Sequence, residues 1–140
     1  MVNVTKTHIH TVNKYKSYLD KIYKDGQITN NGPLLQELEK RLADYLGVRN
    51  LVLVANGTAA LELAYRTLNL NGFAITTPFS FVATTSSLVT NNLLPIFCDI
   101  NKNTLNIDEN KIEQLITTNT SAIVATHIFG NPCEIYKIKE

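Results

Sequence analysis

The 140-residue sequence predicts an α/β fold, a mostly parallel sheet with helices on both faces, preceded by two N-terminal helices. Three observations predict it. Short, largely apolar runs at Leu51–Val54, Phe73–Thr77, Leu93–Cys98 and Ala122–Ala125 read as buried strands, because they lack the alternation of a half-solvated sheet. Helical patterns separate them, over 59–68, over 82–89, and from an Asp108 cap through Ile116. The unusual turn residues, Asn56-Gly57-Thr58, Pro78 to Phe81 and His127 to Gly130, all follow strands. Ligands of open parallel sheets bind beyond the strands' carboxyl ends, so these turns outline a site.

Each element has its own sequence signal. Val12 to Tyr23 sets Val12, Tyr15, Leu19, Ile22 and Tyr23 on one helical face and stops near Asp25-Gly26. Pro33 opens a second helix with Leu34, Leu35, Leu38, Leu42, Tyr45 and Leu46 facing inward, and Gly47 suits the position after its end. Leu51–Val54 then runs into Asn56-Gly57-Thr58, and a third helix starts at once with Ala59, Ala60, Leu63, Ala64 and Leu68. A strand, a small-residue turn and a helix N-terminus can hold a phosphate, through free first-turn N–H groups, the helix dipole and close approach at Gly57. Thr58 adds a hydroxyl. The segment is neither a G-x-x-x-x-G-K-[ST] loop nor a G-x-G-x-x-G turn, and a plain capped helix after a buried strand is the competing explanation.

Composition narrows the classes. Apolar residues make up 44% and charged residues 18%, as in globular domains, and a net charge of +1 with scattered lysines gives no nucleic-acid face. The first ten residues have no apolar core, so a signal peptide is not expected, nor is any run long enough to span a membrane. The Asn-x-Ser/Thr triplets at Asn3, Asn56 and Asn119 therefore carry no weight. Cys98 reads as a packed thiol and Cys133 as a turn residue, too far apart in sequence to suggest a disulfide. His8 and His10 are a poor metal grip in a tail, and Asp99 after its strand reads as structural rather than catalytic.

From about Gly26 to Pro132 the motifs, in order and spacing, resemble the N-terminal part of the sugar-nucleotide aminotransferases, fold type I enzymes dependent on pyridoxal 5'-phosphate. The residues that carry the likeness are Gly32-Pro33, Asn56-Gly-Thr-Ala-Ala-Leu61, Pro78-Phe-Ser-Phe-Val-Ala-Thr84, Pro95-Ile-Phe-Cys-Asp-Ile100 and Asn106-Ile-Asp108. Gln27-Ile-Thr-Asn-Asn-Gly-Pro33 points further, to members that aminate a keto-deoxyhexose on a nucleotide. The resemblance implies that Thr58 and Ala59, beside Gly57, hold the cofactor phosphate, and that Phe81 stacks on its pyridine ring. Phe81 as a core side chain at a strand–helix junction is the alternative. Thr29 and Asn30 would approach the sugar substrate, often across a dimer interface. His127, in a His-x-x-Gly turn, would lie near the cofactor, unless it is a structural, capped histidine.

The same resemblance implies that the chain, read as residues 1–47 (helices and substrate loop) and 48–140 (first part of a cofactor-binding large domain), is a truncated part of such an enzyme. The chemistry needs a lysine to bond the cofactor and an acid on its ring nitrogen, and in the family both follow the His-x-x-Gly turn. Lys137 and Lys139 lie in a surface-like pattern and take neither role. The expectation is a cytoplasmic homodimeric enzyme that moves an amino group, by family habit from glutamate, to a nucleotide-linked keto sugar for surface polysaccharide such as O-antigen. The chain alone would be inactive. The alternative is a non-catalytic binding or assembly module that partners another chain.

Overall fold

The structure, a computed structural model, describes residues 5–140; Met1–Val4, with the Asn3 triplet and the start of the tail, lie outside the described residues. The described chain forms two compact units that divide between Leu53 and Val54.

In the first unit, α1 (Val12–Asp25) ends at Gly26, whose left-handed φ of 70° lets its N–H reach the Ile22 carbonyl. Helix α2 (Pro33–Leu46) has proline in its first turn and ends at left-handed Gly47. Between them, the Gln27 and Gln36 side chains donate to the carbonyls of Asn30 and Asn31 and fix the loop. Glu39 accepts the Leu53 N–H at 2.9 Å and draws the end of the unit back to α2. The faces expected to point inward are largely in solvent. Only Leu19, Ile22, Leu34 and Leu42 of those named are half-buried, while Val12, Tyr15, Tyr23, Leu35, Leu38, Tyr45 and Leu46 are exposed. Two amphipathic helices alone have too little surface to enclose a core.

The second unit is an α/β layer structure. Strands β1 (Phe73–Thr76), β2 (Leu94–Phe97) and β3 (Thr120–Ile123) form a parallel sheet in the order β2-β1-β3. Central β1 is buried on both faces, and its two inner side chains seed one core cluster each. Ala74 packs with Tyr65, Leu88 and Leu93, under α3 (Gly57–Thr67) and α4 (Ala83–Thr90). Ile75 packs with Cys98, Ile107, Ile112 and Cys133, and α5 (Ile135–Lys139) covers this cluster with Ile135 and Ile138. Both thiols, distant in sequence, thus share one core cluster, and both are free. Pro95 is tolerated because β2 is an edge strand of this sheet. Gly72, at φ 78°, enters β1 so close to Asn119 that an added Cβ would lie 2.4 Å from its carbonyl oxygen.

Further expectations need correction. Leu93–Cys98, expected as a buried strand, forms β2 at the edge of this sheet with Leu94 and Phe97 exposed. Leu51–Val54 is not a strand: it is extended in exposure pattern but pairs with none of the described strands, and a strand exists only through its ladder. The helix expected from Asp108 to Ile116 is two 3-10 turns, Glu109–Lys111 and Glu113–Leu115. Asp108 caps the first by accepting from the backbone and side-chain amides of Asn110, and such local bonds compete with regular α-helix. The strand expected at Ala122–Ala125 starts earlier, at Thr120, although Val124 N–H still donates to the Ile75 carbonyl at 2.8 Å. Among the described residues no helix is long and apolar enough to cross a membrane.

Candidate functional site

The carboxyl ends of β1 and β3 and the N-terminus of α3 meet at one edge of the second unit, although the segment before α3 is not a strand. Fully buried Thr76 and Thr77 build the floor. Thr76 Oγ1 donates to the Val124 carbonyl at 2.9 Å, and Thr77 Oγ1 accepts the Phe79 N–H at 3.2 Å, which turns the chain sharply at Pro78. A cleft of about 680 Å³ opens above, between Asn56, Gly57 and Thr58 on one side, Phe81 and Thr84 on another, and Val124 to Thr126 behind. A second cleft of about 380 Å³ adjoins it through Phe81 and Thr126 and is walled by Phe79, His127 and Phe129.

At the N-terminus of α3, Asn56 is the cap residue, and its Oδ1 accepts the Ala59 N–H at 2.9 Å. The Ala60 N–H bonds the Asn56 carbonyl, which leaves the amides of Gly57 and Thr58 without an acceptor among the described residues. Thr58 Oγ1 is likewise free of protein partners among them. A Cβ added at Gly57 would meet nothing within 4 Å, so the backbone is open to close approach. Two free amides, a hydroxyl and the positive end of the helix dipole suit a phosphate group. The Ala59 amide, expected to join them, is committed to Asn56 instead, so an anion meets two free donors there and competes with the cap for a third.

Phe81 is 78% exposed, which removes the alternative that it is a core side chain. It stands between the two clefts with a bare aromatic face. His127 makes a structural bond. Its Nδ1 accepts the Cys133 N–H at 3.0 Å, a structural role that fixes the proton on Nε2, while the ring also lines the second cleft. Thr29 and Asn30 line a cleft of about 560 Å³ within the first unit, between the end of α1 and the start of α2.

No lysine, aspartate or glutamate lines either cleft of the second unit among the described residues. Lys137 is ion-paired with Glu109 at 3.1 Å, which raises its pKa, and Lys139 is an exposed residue at the end of α5. Asp99 bonds the Ile100 N–H and then Lys111 Nζ, at 2.8 and 3.2 Å, and these contacts lower its pKa; it serves the loop, not the clefts. Residues to which the sequence assigned no role of their own complete the site. Phe79 and Phe129 add aromatic walls, Thr126 joins the clefts, and buried Asn106 bonds the 127–132 turn from behind. Phe129 could have been found from its place before Gly130, whereas nothing local marks Asn106 as a buried partner.

Relatives share this arrangement of elements. The chain is 44% identical over 139 residues to dTDP-4-amino-4,6-dideoxy-D-glucose transaminase of Escherichia coli, covering 99% of this chain and 38% of that protein. Among solved structures, DesI in the presence of its TDP-sugar product superposes with a TM-score of 0.84 at 34% identity, over 91% of this chain and 32% of that one. NtdA of Bacillus subtilis with bound cofactor PMP superposes with a TM-score of 0.82 at 31% identity, over 92% of this chain and 31% of that one. The chain therefore spans about a third of the length of these proteins. Its strand order, its helices and the match of residues 10–140 establish that the chain belongs to the DegT/DnrJ/EryC1/StrS aminotransferase family.

Proposed function

We propose that this chain supplies the phosphate cup and ring-stacking wall of a pyridoxal-phosphate-dependent aminotransferase acting on a nucleotide-linked keto-deoxy sugar. The observation that carries the reading is the meeting of two acceptor-free amides, Gly57 and Thr58, with the bare face of Phe81 in one cleft. The amides and the Thr58 hydroxyl bind the cofactor phosphate, in charge-assisted hydrogen bonds stronger than neutral ones. Phe81 offers a flat apolar face to the pyridine ring and shields it from water on that side. His127 presents Nε2–H as a donor to an oxygen of cofactor or substrate, because Cys133 occupies its other nitrogen. When bound, pyridoxal phosphate supplies the electron sink for the amino transfer.

Thr29 and Asn30 face their own cleft, whose amide-rich rim suits sugar hydroxyls. In a homodimer that loop could serve a partner's sugar. The lysine and ring-nitrogen acid come from outside the two clefts, since neither residue type lines them. The donor is glutamate, the product feeds surface polysaccharide such as O-antigen, and the setting is the cytoplasm. The second reading, a non-catalytic binding or assembly module, draws on the same lack of lysine and carboxylate in the clefts.

A chimera tests the proposal: this chain replaces the equivalent segment of the E. coli transaminase, and amine exchange between dTDP-4-amino-4,6-dideoxy-D-glucose and 2-oxoglutarate is measured. An active chimera that loses turnover on Thr58→Val or Phe81→Ala supports it. A folded, cofactor-loaded chimera without exchange favours the module.

A further inference from the structure

Asn106 lines neither cleft, and the cofactor reading gives it no task, yet it is only 3% exposed and almost fully bonded. Its Oδ1 accepts the Ile128 N–H at 2.9 Å, and its Nδ2 donates to the carbonyls of Asn131 and Pro132, both at 3.0 Å. The orientation of the amide is fixed by these partners, since an N–H requires the oxygen and two carbonyls require the nitrogen. All three bonds land on one turn, on either side of Phe129. Asn131 returns a bond from its Nδ2 to the Thr104 carbonyl at 3.3 Å. The Asn101–Ile107 loop that presents Asn106 is itself closed by Asn101 N–H on the Asn106 carbonyl and by the Ile100–Ile107 bridge.

The turn so gripped is strained. Phe129 has φ 53° and ψ 23°, left-handed values that a bulky side chain rarely adopts. Its side chain is 89% exposed, so no burial of its own holds it there. Such an outlier persists only where the surroundings over-determine it, and it collects at functional sites. Asn106 supplies the constraint by fixing the amide before Phe129 and the carbonyls after it. Only a carboxamide matches one donor and two acceptors at this point: aspartate would set a carboxylate against two carbonyl oxygens, and leucine would leave three backbone groups unpaired.

We propose that Asn106 is a positioning residue of the candidate site, whose buried carboxamide locks the 127–132 turn so that Phe129 and His127 stand as a fixed wall of the cleft shared with Phe81. The proposal rests on the reading of that cleft as part of the cofactor and substrate site. Preorganisation of this kind acts on affinity, because a wall already in place need not be ordered when a ring enters.

The experiment compares Asn106→Asp with Leu93→Val, a core substitution in the other cluster, at a temperature where both are folded. Backbone amide and His127 ring-nitrogen resonances are recorded, then affinity for pyridoxamine 5'-phosphate. We expect Asn106→Asp to move the resonances of 127–133 and to weaken binding by about tenfold, the scale of one lost hydrogen bond, while Leu93→Val moves neither. Wild-type resonances and affinity in Asn106→Asp overturn the proposal. Should that variant not fold, hydrogen exchange in the wild type decides: an Ile128 amide protected like that of Val124 supports the clamp, and exchange at the rate of an open loop overturns it. If the wild type fails to bind pyridoxamine phosphate, the cleft reading falls, and resonances and exchange still decide whether Asn106 holds the turn.

Discussion

Replacing Asn56 by aspartate separates helix capping from anion binding. Asparagine and aspartate are near-equal caps, and either accepts the Ala59 N–H, so α3 should keep its stability to within a few tenths of a kcal/mol. The new charge matters to a ligand. A phosphate bonded to the Gly57 and Thr58 amides would sit roughly 5 Å from the carboxylate, judged from ordinary hydrogen-bond lengths. Repulsion between unit charges at that distance is about 0.8 kcal/mol in bulk water and about 3.3 kcal/mol at an effective dielectric of 20. The cap is exposed, which favours the lower figure, but a phosphate monoester carries about 1.5 to 2 charges. The expected loss is about 1–3 kcal/mol, roughly 5- to 150-fold in affinity, shrinking as salt screens it. Calorimetric titration with pyridoxamine 5'-phosphate at low and high salt, beside a thermal melt, measures both quantities. An unchanged melt with unchanged affinity would refute the placement of the phosphate at α3. A lowered melt would instead mean that the cap had failed.

Other substitutions have equally distinct signatures. Phe81→Ala should change stability by under about 0.5 kcal/mol, because the ring is exposed, yet weaken pyridoxamine phosphate by up to about tenfold and leave inorganic phosphate unaffected; parallel titrations check this. Gly72→Ala should cost about 2 kcal/mol or more, from the left-handed φ and the clash with Asn119, and chemical denaturation measures it. Burial raises the pKa of both Cys98 and Cys133, so the folded chain holds these protons more tightly than the unfolded chain. The resulting stability is unaffected below the ordinary thiol value of about 8.5 and is lost as pH rises above it. Denaturation midpoints across alkaline pH should therefore fall, less so in a Cys98→Ala, Cys133→Ala double variant.

What the sequence made legible is what depends on neighbours in sequence. Gly26, Gly47 and Pro33 marked helix ends because backbone geometry there is local, and the apolar run around Ile75 marked a strand because the central strand of a parallel sheet is buried on both faces. The rule that sites lie at strand carboxyl ends accounts for the turns after β1 and β3, whereas the Asn56-Gly57-Thr58 turn joins them without a paired strand before it. Leu51–Val54 misled because its composition is that of a strand, while strand formation depends on a partner that composition does not supply. The 109–115 turns misled because the Asp108 carboxylate accepts from the backbone and side-chain amides of Asn110 and interrupts an otherwise helical period. Asn106 was illegible for the opposite reason: its three partners lie 22 to 26 residues away. The Asn56 bond to Ala59 was readable as a cap, but its competition with an anion emerged only from the count of free amides.

The most direct measurement is a residue-resolved titration of the isotopically labelled chain with pyridoxamine 5'-phosphate, pyridoxamine and inorganic phosphate. The account predicts that both phosphate-bearing ligands shift the Gly57 and Thr58 amides, that only the phosphorylated ring also shifts Phe81 and its neighbours strongly, and that pyridoxamine binds weakest. Shifts confined to other surfaces, or none at Gly57 and Thr58 while pyridoxamine phosphate binds, would contradict it.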